Sequence, residues 1–108
     1  MPIVVQKFGG SSVGSAERIK KVAARITSYK AAGNDVVVIV SAMGDTTDDL
    51  ISLLKQVTDS PDPREYDMLL STGEQVSAAL VTMSIHELGF KAVSLTGWQA
   101  GINTEDIP

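Results

Sequence analysis

Apolar residues in this chain fall into short runs and helical stripes rather than one continuous block. Ile3-Val4-Val5 is a β-branched run leading into Gly9-Gly10, the pattern of a buried strand that ends in a turn. From about Ser15 to Ala32, the apolar positions Ile19, Val22, Ala23, Ile26 and Tyr29 recur mostly every three or four residues. Lys20, Lys21 and Arg25 fall largely off that stripe, which predicts an amphipathic helix capped by Ser15 and terminated at Gly33. Gly33-Asn34-Asp35 then turns the chain into Val36–Val40, apolar throughout without alternation, which reads as a strand covered on both faces. Thr46 is expected to cap a second helix that carries Leu50, Leu53, Leu54 and Val57 inward, and Asp59-Ser60-Pro61-Asp62-Pro63 breaks it. Asp62, Pro63 and Glu65 supply the cap, the first-turn proline and the capping-box acid of another helix. Helix is expected through Met68, Leu69 and Leu70, and again from Glu74 to Leu88 with Gly89 as terminator; Gly73 predicts an interruption near Ser71 to Gly73. Ala92-Val93-Ser94-Leu95 reads as a third strand.

The order β-α-β-α-α-β, with strands joined through helices, calls for a parallel sheet in an α/β fold. Three strands make a small sheet with exposed edges, which predicts part of a larger α/β domain. At 108 residues, 44% apolar and 20% charged, the chain has a globular composition and the length of one domain, with no second domain expected. The net charge of −4 leaves no global positive field for nucleic acid or an anionic membrane, so an anionic ligand needs a local device. The absence of cysteine excludes disulfides, thiolate zinc sites and cysteine nucleophiles, and fits a reducing compartment. The longest apolar run is Val36–Val40, and the N-terminus lacks a signal pattern; both point to a cytoplasmic chain with no membrane association.

In open α/β sheets, ligands gather beyond the carboxyl ends of the strands. Three polar, glycine-bearing clusters fall there: Lys7-Phe8-Gly9-Gly10-Ser11-Ser12, Ser41-Ala42-Met43-Gly44-Asp45-Thr46-Thr47 and Thr96-Gly97-Trp98-Gln99-Ala100-Gly101. In the first, two glycines allow close approach to an anion, the following helix adds positive potential, and Lys7 adds a full charge. Together they make a phosphate cradle, although a tight strand-to-helix turn with a solvated lysine explains the same residues equally well. Gly9 and Gly14 have Walker A spacing, but Ser15-Ala16 stand where Lys-Ser/Thr is needed, and no GxG is present. In the second cluster, helix capping accounts for one of Thr46 and Thr47 more simply than ligand binding does, and accounts for Ser41 less readily. Glu74 in Leu70-Ser71-Thr72-Gly73-Glu74-Gln75 reads either as an acid stabilising a helix start or as a carboxylate for a substrate ammonium. His86 is best explained by a favourable position late in a helix. Asp45, Asp48 and Asp49 match no calcium loop, Trp98 reads as a packing residue, and the methionines read as core filler.

Four ordered blocks resemble aspartate kinases: Val5-Gln6-Lys7-Phe8-Gly9-Gly10-Ser11-Ser12-Val13, Val36–Val40 running into Ser41-Ala42-Met43-Gly44, Leu70–Gln75, and Leu95-Thr96-Gly97-Trp98-Gln99-Ala100-Gly101. The last two favour that family over carbamate, acetylglutamate or uridylate kinases, which share the lysine-glycine opening. The resemblance implies an amino acid kinase fold of three α/β/α layers, with residues 1–108 as the N-terminal part of its catalytic domain. It implies transfer of the γ-phosphoryl group of MgATP to the β-carboxylate of L-aspartate, the entry to lysine, threonine and methionine synthesis. By matched position, Lys7 would stabilise the transferring phosphoryl group. Phe8, Gly9, Gly10 and Ser11 would lie along the nucleotide phosphates, and Ser41 between phosphate and amino acid. Thr47 and Glu74 would bind aspartate, with Mg2+ held by the nucleotide. The resemblance also implies a homo- or hetero-oligomer and an incomplete fragment, since the family's later nucleotide-binding segment is not matched. Two other readings stay open: another amino acid kinase, or a non-catalytic binding or assembly module of that fold.

Overall fold

The computed structural model describes residues 2–96. Ile3–Phe8 (β1) and Asp35–Val40 (β2) pair in parallel, with Ile3 opposite Asp35 and Phe8 opposite Val40. A parallel pair needs a crossover, supplied by the helix Ala16–Ala31 (α1). Two further helices follow, Gly44–Val57 (α2) and Pro63–Glu87 (α3). The strand-crossover-strand order is the one the periodicity predicts.

The ends of α1 and α3 are where local chemistry is plainest. The Ser15 hydroxyl accepts from Arg18 N at 3.2 Å, and the Asp62 carboxylate accepts from Glu65 N at 3.2 Å, each satisfying an orphan donor of a first turn. Both helices stop at a glycine of positive φ, Gly33 at 97° and Gly89 at 86°. In each the next two N–H groups reach back over the last turn: Gly33 N to Lys30 O and Asn34 N to Tyr29 O, then Gly89 N to His86 O and Phe90 N to Ile85 O. This double closure needs a left-handed residue that glycine adopts without a steric penalty.

The core lies between α1 and α3. Ile19, Val22, Ala23 and Ile26 of α1 meet Val81 and Ile85 of α3, with Val13 beneath them. Phe8, Val36, Val38 and Val40 pack on this cluster from one face of the sheet. The other face, Ile3, Val5, Val37 and Ile39, is half or more exposed. The uninterrupted run 36–40 predicts cover on both faces, but among the described residues only one face has helices upon it. The third layer of the expected sandwich is therefore not present among them.

Four other expectations change. Residues 92–95 form no strand; Phe90 and Ala92 instead pack on the core, and His86 Nε2 donates to Ala92 O at 2.8 Å, a role beyond its place in the last turn of α3. An apolar run has strand propensity, but a strand exists only where a neighbour offers a ladder. The second helix starts at Gly44, with Met43 as N-cap and no side-chain cap, so neither Thr46 nor Thr47 caps it. It buries no residue fully: Leu53 and Val57 face solvent and Leu50 and Leu54 are half-buried, since α2 packs mainly along α3. Finally, α3 runs unbroken through Ser71–Gly73, for reasons that belong to the site.

Candidate functional site

The site is built where both strands end. The Phe8 carbonyl accepts from Ser41 N at 3.0 Å, which carries the ladder one step beyond β2 and holds the two exits side by side. After Phe8 the chain makes two successive turns, with Ser12 N donating to Gly9 O at 3.1 Å and Gly14 N to Ser11 O at 3.4 Å. Val13 is the sole apolar residue between Phe8 and Ala16, and it is wholly buried, so it anchors the turn in the core. Arg18 Nη1 donates to Ser11 O at 2.7 Å and ties the same turn to α1.

The turn lies directly on the segment that follows β2. A Cβ placed on Gly10 would stand 2.7 Å from the Ala42 carbonyl oxygen and 3.4 Å from Gly44 N. From the other side comes α3. A Cβ on Gly73 would stand 2.9 Å from the Ala42 Cβ and 3.5 Å from Thr46 Cγ2. Glycine in a helix interior costs about 1 kcal/mol relative to alanine, which is why Gly73 predicts a break. Contact with the 42–46 segment outweighs that cost, and the helix continues. Gly73 is buried and begins the inward stripe Gly73, Ser77, Val81, Ile85, so α3 is thinnest where it meets the loop and bulkiest where it meets the core. Glu74 thus follows the Gly73 contact on an unbroken helix and does not sit at an irregularity.

The predicted residues fall out as follows. Lys7, Gly9 and Ser11 are exposed, Gly10 is half-buried, and all lie in or beside the first turn. The Phe8 side chain packs on the core, and what it offers the edge is its carbonyl. Ser41 and Thr47 are half-buried at the β2 exit and in the first turn of α2; Glu74 is exposed beside Gly73. The uncapped N-terminus of α2 sits among them, its first-turn N–H groups without a side-chain acceptor. Lys7, Ser41, Thr47 and Glu74 make no side-chain hydrogen bond or ion pair among the described residues. The first two clusters and the Leu70–Gln75 block therefore come together. Of the third cluster only Thr96 is described; Gly97 to Gly101 lie outside the described residues. Sequence reasoning missed Arg18, Val13 and Ala42. A lone apolar residue in a polar turn is a signal for Val13, whereas nothing in the pattern marks Arg18 or Ala42.

The arrangement offers Lys7, a glycine turn braced by Arg18 and an open helix N-terminus, with the Ser41 and Thr47 hydroxyls and the Glu74 carboxylate on the adjoining segments, a set suited to an anion joined to an amine-bearing acceptor. Among the described residues no three His, Cys, Asp or Glu side chains gather into a metal site, and no helix is long and apolar enough to cross a membrane.

The profile of the amino acid kinase family matches residues 2–107. The chain is 66% identical over 107 residues to an aspartokinase of Geobacillus stearothermophilus, which covers 99% of this chain and 26% of that protein. It is 57% identical over 107 residues to aspartokinase 2 of Bacillus subtilis, with the same coverage of 99% and 26%. The crystal structure of aspartate kinase from Synechocystis superposes with a TM-score of 0.83 at 54% identity, covering 88% of this chain and 16% of that one. The chain thus spans about a quarter of the length of the curated relatives it matches.

Proposed function

Since the chain belongs to the amino acid kinase family, we propose that it forms the phosphate- and acceptor-facing wall of an aspartate kinase. The reaction is transfer of the γ-phosphoryl group of MgATP to the β-carboxylate of L-aspartate, giving 4-phospho-L-aspartate. The observation that carries this reading is the meeting of the Lys7–Ser11 turn, the Ser41–Thr47 segment and the Gly73-Glu74 step at one edge of the sheet, in a chain whose relatives are aspartokinases.

In this reading Lys7 neutralises charge on the transferring phosphoryl group, while Gly9, Gly10 and Ser11 offer backbone to the phosphates with Phe8 as their anchor. Ser41 stands between donor and acceptor. Thr47 holds the acceptor with its hydroxyl, and Glu74 pairs with the ammonium. Phosphoryl transfer asks for positioning and charge compensation more than for covalent chemistry, and these residues supply both without a nucleophile or general base. None of these residues is assigned to a metal; magnesium would be held by the nucleotide and would supply compensation of phosphate charge. The same reading gives the protein a place in lysine, threonine and methionine synthesis, in the cytoplasm and in an oligomer.

The test replaces the matching quarter of the Geobacillus stearothermophilus aspartokinase with these 108 residues. Acyl phosphate is then trapped with hydroxylamine, offering L-aspartate, N-acetylglutamate and carbamate in turn. Product from L-aspartate alone is expected, and Glu74→Gln should raise the KM for aspartate with little change for ATP. A folded chimera without product from L-aspartate would sink the assignment. As a separate polypeptide, the 108 residues hold one wall of a two-sided site and should yield no product above a Lys7→Ala control.

A further inference from the structure

We propose that Ala42 is a positioning residue that sets the distance between the phosphate turn and the acceptor-binding step of α3, acting through two glycines that each leave room for a different one of its atoms. The role assigned to it in activity rests on the aspartate kinase reading.

The argument starts from why Gly10 and Gly73 are glycines. Neither has positive φ; among the described residues that holds only for Gly33 and Gly89. Any L-residue can adopt their backbone angles, so the reason must be space. Added Cβ atoms would meet Ala42 at less than 3.0 Å in both cases, at its carbonyl oxygen from Gly10 and at its methyl from Gly73. Both obstacles belong to backbone or to an atom fixed to it, so neither can swing aside. By contrast, a Cβ on Gly9 or Gly44 would meet nothing within 4 Å. Among the described glycines, a contact under 3.0 Å is confined to the two that touch Ala42.

The geometry makes the two contacts separable. Gly10 follows the Lys7 exit of β1, and its contact is with an oxygen that every residue at position 42 retains. Gly73 precedes Glu74, and its contact is with a methyl group that Ala42→Gly removes. Gly73→Ala should push the Glu74 step off the loop and weaken acceptor binding. Ala42→Gly should restore the space. Gly10→Ala should displace the phosphate turn, and Ala42→Gly should not relieve it.

The experiment measures KM for L-aspartate, KM for ATP and kcat in the chimera, with thermal melting of the same proteins. Gly73→Ala is expected to raise the aspartate KM roughly ten-fold while the ATP KM moves less than about two-fold, because a displaced Glu74 loses acceptor binding. The Gly73→Ala, Ala42→Gly double variant should return to within about two-fold of the parent, as expected when two residues share one space. Gly10→Ala should lower kcat by roughly a hundred-fold with or without Ala42→Gly. Should Gly73→Ala fail to fold, recovery of a cooperative melt by adding Ala42→Gly is the readout, and no recovery refutes the shared space. Equal rescue of both glycine variants refutes the two-sided contact, and rescue in melting without rescue of the aspartate KM refutes positioning. Absence of aspartate kinase activity in the unsubstituted chimera counts against the functional reading instead, and the melting comparison then still decides whether Ala42 and Gly73 share space.

Discussion

The two faces of the sheet carry nearly the same chemistry and live in different surroundings. On one, Val4, Phe8, Val36, Val38 and Val40 are half-buried, and all but Val4 pack on the core between α1 and α3. On the other, Ile3, Val5, Val37 and Ile39 are equally apolar, and Val5 and Ile39 remain 62% and 50% exposed. Apolarity therefore does not tell where a residue is buried; a partner element does. The open face is also where Lys7 stands, opposite Ile39 in the ladder. One face holds the described residues together, while the other presents a cation in an apolar surround.

That contrast can be broken most severely at Lys7. In the chimera, Lys7→Ala should lower turnover by about two orders of magnitude or more, since a preorganised charge at developing negative charge is worth roughly 3–4 kcal/mol. Stability should hardly change, because the side chain is exposed. Unaltered turnover at saturating substrates would remove Lys7 from the chemistry. The next effect belongs to the covered face. Ile26→Ala deletes a side chain buried between α1 and α3 and should cost about 2–4 kcal/mol in denaturant unfolding, transfer and cavity together. A loss below about 1 kcal/mol would mean that the core collapses around the gap. The smallest effect is on the open face. Val37→Thr should change the stability of the separate chain by less than about 0.5 kcal/mol, because little apolar area leaves water there. It should also reduce self-association in sedimentation, since it breaks the exposed apolar patch. A loss like that of Ile26→Ala would mean that the face is covered after all.

How much of this was legible in advance follows from the range of the forces involved. Ser15, Gly33, Asp62, Pro63 and Gly89 act within a turn of their own position, and the structure places helix ends where they predict them, although the break expected inside the second of these helices is absent. The stripe Ile19, Val22, Ala23 and Ile26 was read correctly because a helix projects its own period; Tyr29 gave way to Thr27, which is buried with its hydroxyl on Ala24 O. What failed depended on neighbours distant in the chain. Gly73 looks like a breaker until Ala42 is placed against it. Val93 and Leu95 look like strand, but none of the described residues offers them a ladder. The site was legible as separate clusters at strand ends, by the topology of open sheets. The resemblance already groups Glu74 with Thr47; that Gly73 makes the junction against Ala42 is a fact of tertiary contact that no residue pattern marks.

The parallel register has a consequence for how the chain assembles. Every rung of the ladder, from Ile3 with Asp35 to Phe8 with Val40, joins residues separated by the whole of α1. No hairpin turn can seed such a sheet, so its first rung must meet the entropy of closing a long loop before any second rung rewards it. A helix shortens that loop by converting flexible chain into a rod that rises about 1.5 Å per residue. The caps at Ser15 and Gly33 thus matter before the native state exists: by favouring α1 while the chain is still open, they bring the two strands within reach of each other.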